Sequence, residues 1–263
     1  MNRRTLLSAG PIALGLGGAA PSEGPDTAPA DLASLARTGS EKIAMLLYPG
    51  FTALDLVGPH FFFGSMRGAE VDLVSTRSDL RPVESDLGLA IAPTVTLADC
   101  GRDMTVLFAP GGTVGTLAAA ADPAVRAFLK DRAEGARFIT SVCTGAVILG
   151  AAGLLRGRRA TTHWAARDAL AHFGATAVDE RVVSDGKLMT GAGVSAGLDL
   201  ALSVVAALRG QTYAQALMLQ AEYAPRPPFA GGDAASTDPK ITKVLQTMLG
   251  PFVKRAKALT VDP

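Results

Sequence analysis

Short unbroken apolar runs alternate along this chain with stretches whose apolar residues recur at helical spacing. Lys42–Tyr48, 104–109 and 137–142 are runs of the first kind, the first closed by Pro49-Gly50 and the second by Pro110-Gly111-Gly112. Such runs mark strands buried on both faces. Residues 70–76 alternate and predict a further strand, and 82–97 predict an excursion of short strands around Gly88. Helices are predicted over 54–66, over 123–134 behind a capping Asp122 and a first-turn Pro123, and over 144–152, 164–172, 194–209 and 213–223. Asp185-Gly186 between 181–184 and 187–190 predicts a hairpin. An irregular arm over 225–232 precedes a last helix near 241–259, expected to break or kink at Gly250-Pro251. Strand–helix alternation of this kind predicts an α/β fold, with a mainly parallel sheet between two helical layers.

The first twenty residues do not fit that pattern. Arg3-Arg4 ahead of a small-residue apolar stretch reads as a twin-arginine-like export signal, so the mature protein is expected to be exported or periplasmic, with no membrane span. Residues 21–40, rich in breakers, read as a flexible linker, 41–235 as the folded domain, and 236–263 as a C-terminal helical extension. The whole chain has 263 residues, a 48% apolar share and a net charge of +1, enough for one full core and with no basic stripe for nucleic acid. Its three histidines are scattered and its two cysteines far apart, which gives no metal-ligand spacing, and no cofactor is expected. Export would permit a Cys100–Cys143 disulfide, but the two sit in unrelated contexts and the reading is that both stay free.

The strongest chemical signal is Ser141-Val142-Cys143-Thr144-Gly145. A buried strand passes straight into a helix with one thiol at the junction, the arrangement of a nucleophile elbow. The helix N-terminus behind Cys143 is expected to favour its thiolate. Asp55, just after the first strand, should reach the same sheet edge, either as a proton carrier or as a plain helix cap. The N–H groups of Gly111, Gly112 and Thr144 are candidates for an oxyanion hole. His163 reads as a base, a pocket wall or a cap. Gly193-Val194-Ser195-Ala196-Gly197 matches G-x-S-x-G, but all three histidines precede Ser195, against the chain order of α/β-hydrolases.

Five segments resemble the DJ-1/PfpI superfamily, specifically its isonitrile hydratase branch: 47–59 (LYPGFTALDLVGP), the 109–112 turn, 141–146 (SVCTGA), 160–164 (ATTHW) and the arm 223–229. The resemblance spans about residues 42–232. It implies a flavodoxin-like three-layer sandwich, commonly a homodimer, acting on a small molecule through Cys143, Thr144 and Asp55. It also implies hydration of an isonitrile to an N-substituted formamide. Thr144, where protease-like members carry histidine, argues against peptidase activity. Two alternatives stay open: another cysteine reaction on a small electrophile, of glyoxalase type, and a redox-sensing or ligand-binding module. Regulators built on this domain need a helix-turn-helix region, and the residues after Gly232 are too few for one.

Overall fold

A computed structural model describes residues 31–263, and the export-signal reading lies outside the described residues. The central sheet has seven strands in the order β10-β11-β7-β6-β1-β2-β5. They are β1 (Lys42–Leu47), β2 (Glu70–Ser75), β5 (Val95–Thr96), β6 (Val106–Ala109), β7 (Phe138–Val142), β10 (Val182–Asp185) and β11 (Leu188–Gly191). All pairs are parallel except the β10–β11 hairpin, which turns at Asp185-Gly186 as predicted. The inner order β2-β1-β6-β7-β11 is the flavodoxin-like 2-1-3-4-5, with its switch point between β1 and β6. The excursion supplies β3 (Val83–Glu84) and β4 (Ala90–Ile91), an antiparallel pair of its own, and β8 (Arg159–Ala160) pairs with β9 (Thr176–Ala177).

Why β1 and β6 are central follows from their composition. Ile43 through Leu47 and Val106 through Ala109 are all buried, so both strands need cover on both faces. Each buried aliphatic contributes about 1.5–3 kcal/mol, which an edge position would forfeit. The cover comes from α1 (Ala53–Gly64), α2 (Val114–Ala121), α3 (Pro123–Gly135), α4 (Gly145–Ala151), α5 (Ala196–Arg209), α6 (Gln211–Gln220) and α7 (Pro239–Ala256). Asp122 caps α3 through its side chain, accepting from the Ala124 N–H at 2.8 Å.

Four sequence expectations need correction. Helix α2 has no counterpart among them: Thr113, Val114 and Gly115 at its start mask the helix-forming Ala118–Ala121 behind them. Residues Trp164–Phe173 wind as 3-10 turns, begun at His163 and stopped by Gly174 at φ +73. Helix α7 continues through Pro251, because Phe252, Val253 and the buried Ala256 hold its last turns on the core. Part of the expected linker is ordered: Leu32–Ala36 form a 3-10 helix with Ser34 buried, and the Asp31 N–H donates to Thr212 Oγ1 at 3.2 Å.

Candidate active site

Three chain segments meet at the C-terminal edge of the sheet, beside the switch point where ligands bind in open α/β sheets. They are the start of α1 after β1, the Pro110-Gly111-Gly112 turn after β6, and Cys143 after β7. Cys143 has φ +54, a left-handed conformation that a residue with a side chain adopts only under constraint. The constraint is visible. The Cys143 N–H donates to the Gly191 carbonyl at 3.2 Å, and the Thr162 hydroxyl donates to the Cys143 carbonyl at 2.7 Å. The elbow reading therefore holds in its backbone geometry, and both Cys100 and Cys143 are free thiols.

Asp55 is completely buried on the first turn of α1. Its Oδ2 accepts the Gly111 N–H at 2.9 Å, while Oδ1 has no partner. Loss of hydration pushes its pKa up to about 7, against the pull of the Gly111 N–H and of Cys143. Cys143 is 5% exposed, and burial raises its thiol well above the ordinary range. The nearby Asp55 charge raises it further, while the Thr144 N–H and hydroxyl pull the other way. This reverses the expectation of a stabilised thiolate. Helix α4 has only seven residues, and its dipole does not outweigh the removal of water.

The two glycines behave differently from a free oxyanion hole. The Gly111 N–H is taken by Asp55, and the Gly112 N–H donates to Thr144 Oγ1 at 2.9 Å. The Thr144 hydroxyl in turn donates to the Gly112 carbonyl at 2.6 Å. Thus the turn positions the acid and the threonine. Gly111 must be glycine here: a Cβ would lie 2.7 Å from both Asp55 Oδ2 and the Thr144 nitrogen. His163 takes the capping role among those considered, its Nδ1 accepting from the Ala165 N–H at 3.4 Å. Burial and the Arg167 charge lower its pKa. Ser195 has an ordinary φ of −70, and its Oγ accepts from Arg181 at 3.3 Å. Sequence reasoning missed Thr116 and Tyr48, which lie behind Thr144; Tyr48 stood in the quoted 47–59 segment, but Thr116 belongs to the helix that went unseen.

A flavodoxin-like α/β sandwich with a strained cysteine elbow facing a buried carboxyl defines a class of cysteine-centred proteins. Residues 41–207 match the DJ-1/PfpI family, and the chain belongs to that family. It is 43% identical over 220 residues to the isonitrile hydratase of Pseudomonas putida, covering 83% of this chain and 94% of that protein. A crystal structure of a ThiJ/PfpI family protein from Pseudomonas syringae superposes with a TM-score of 0.84 at 53% identity, covering 91% of this chain and 98% of the other. Drosophila melanogaster DJ-1beta shares the fold, with a TM-score of 0.65 at 22% identity over 71% of this chain and the whole of the other.

Proposed function

We propose that this protein hydrates an isonitrile R–N≡C to the formamide R–NH–CHO, with Cys143 as nucleophile and Asp55 as proton carrier. The observation that carries the reading is the buried Asp55 carboxyl, one oxygen pinned by Gly111 and the other unpartnered, set against the strained thiol. The likeness to the Pseudomonas putida enzyme supports the choice of substrate class.

The two raised pKa values define the order of events. Above pH about 7 the pair holds one proton, on sulfur. The Asp55 carboxylate takes that proton as the sulfur attacks the terminal carbon, forming the S–C bond. Asp55 then gives the proton to the same carbon, leaving the thioimidate R–N=CH–S–Cys143. Water adds across the C=N bond, its oxygen to carbon and one proton, moved by Asp55, to nitrogen. The C–S bond breaks, the hydroxyl proton returns to sulfur, and R–NH–CHO departs. The Thr144 N–H, directed at the sulfur, stabilises the thiolate at the first and last steps. The site is drawn to small substrates, because Cys143 and Asp55 lie almost wholly beneath the surface.

The test is turnover of cyclohexyl isocyanide by the purified protein, with formamide quantified against a Cys143→Ala control. Formamide released by the native protein alone is expected; equal rates in both would end the proposal.

A further inference from the structure

Behind Thr144 lies a set of buried hydroxyls that the reaction above does not use. Helix α2 approaches the Pro49-Gly50 turn so closely that a Cβ on Gly115 would sit 2.3 Å from the Pro49 carbonyl oxygen. Only a glycine permits this approach, and it delivers the next residue, Thr116, into the interior with no exposure. Thr116 Oγ1 lies 3.0 Å from the Tyr48 hydroxyl and 3.1 Å from Thr144 Oγ1. The Tyr48 hydroxyl donates to the Pro110 carbonyl at 2.8 Å, so toward Thr116 it presents a lone pair. The result is one continuous path from the end of β1, through α2, to the residue that follows Cys143.

The proton count gives the path a direction. Tyr48 and Thr144 each have one proton, and backbone carbonyls of the 110–112 turn take both. Thr116 has one proton and two acceptors. When it donates to Thr144, that oxygen accepts from both Thr116 and the Gly112 N–H. Its own proton is then held on the Gly112 carbonyl, and the threonine cannot rotate without leaving a buried donor unmatched.

We propose that Thr116, its single proton contested by Tyr48, is a positioning residue that sets the reactivity of Cys143 by fixing the Thr144 hydroxyl and the Gly111-Gly112 turn. The inference rests on Cys143 being the reactive thiol, not on the identity of its substrate.

The experiment measures alkylation of Cys143 by iodoacetamide across pH, read on the Cys143 peptide by mass spectrometry, in the full chain and its variants. Thr116→Val keeps the shape and removes the hydroxyl. It is expected to slow alkylation about threefold to tenfold, the worth of one buried hydrogen bond, and to move the pH midpoint upward. Thr116→Ser should restore both. In a Thr144→Val background, Thr116→Val should add nothing further. Tyr48→Phe removes the competing acceptor, leaves the Thr116 proton to Thr144 alone, and should move the midpoint downward, which decides the matter should Thr116→Val not fold. An unchanged midpoint in folded Thr116→Val, or an unchanged or raised one in Tyr48→Phe, would overturn the proposal. So would an equal loss from Thr116→Val with and without the Thr144 hydroxyl. Failure of isonitrile turnover with these shifts intact would count against the substrate, not against the path.

Discussion

Two turns of this chain lead into helices with a nucleophile-type residue at their centre, 141–145 into α4 and 193–197 into α5. As sequences both offer a nucleophile at a helix start: the second matches G-x-S-x-G, but the histidine order counts against it, and the first follows a buried strand directly. The folded chain separates them. Cys143 sits at φ +54, where a side chain costs about 1–3 kcal/mol, held there by Gly191 on one side and Thr162 on the other. Ser195 sits at φ −70 at no such cost. Across from the cysteine is a buried acid with an unpartnered oxygen; across from the serine is Arg181, itself bound to Asp199. A guanidinium has only donors and cannot take the proton of the serine hydroxyl, whereas a carboxyl of pKa about 7 can take a proton and return it. The lesson is that backbone strain and a proton acceptor, not glycine spacing, set the candidate turn apart.

The comparison can be broken most directly by exchanging the two side chains for alanine. Cys143→Ala is expected to reduce formamide production to the uncatalysed rate, while Ser195→Ala keeps it within about twofold, since its single long contact to Arg181 is of the surface kind worth well under 1 kcal/mol. Comparable losses from both would erase the distinction. Next in size is Asp55→Asn, expected to lower kcat/KM about 10²–10⁴-fold, the usual worth of a general base. In the native protein kcat/KM should rise with pH through about 7, as Asp55 loses its proton. The Asn variant should show no such limb.

Stability should carry the same signature with the opposite sign. Asp55 titrates near 7 in the folded protein and near 3.8 when unfolded. Between those values the folded state binds the extra proton, so stability is full at low pH and falls as pH rises through about 7, by a few kcal/mol. Denaturant unfolding from pH 4 to 8 checks this, and Asp55→Asn should flatten that slope. The smallest effect concerns the backbone alone. At position 143, Cys143→Gly should be more stable than Cys143→Ala by about 1 kcal/mol, a reversal of the usual order that thermal unfolding would detect.

Much of the fold was open to a reader of the sequence. Strands such as 42–47 and 138–142 are short apolar runs with firm stops, and the hairpin at Asp185-Gly186 is a local turn. These are features of a few neighbouring residues, and local sterics write them into the chain. Helix α2 escaped because it starts with Thr113, Val114 and Gly115, residues of low helix propensity, of which Gly115 serves the close approach to Pro49 and Gly50. Thr116 escaped with it. The 3-10 turns at 164–173 share their periodicity with an α-helix closely enough that pattern alone does not separate them.

The sequence by itself determined where the candidate thiol would stand: a cysteine between a buried strand and a helix has no other exit than the sheet's C-terminal edge. What only the tertiary structure decided is the state of that thiol and the use of its neighbours. The partners that matter are distant in the chain, 56 residues from Asp55 to Gly111 and 32 from Gly112 to Thr144. Their effect comes from burial, which no local pattern measures. Removing water raised both the thiol and the carboxyl, turned the expected oxyanion glycines into supports for Asp55 and Thr144, and made the pair, sharing one proton, the chemical unit of the site.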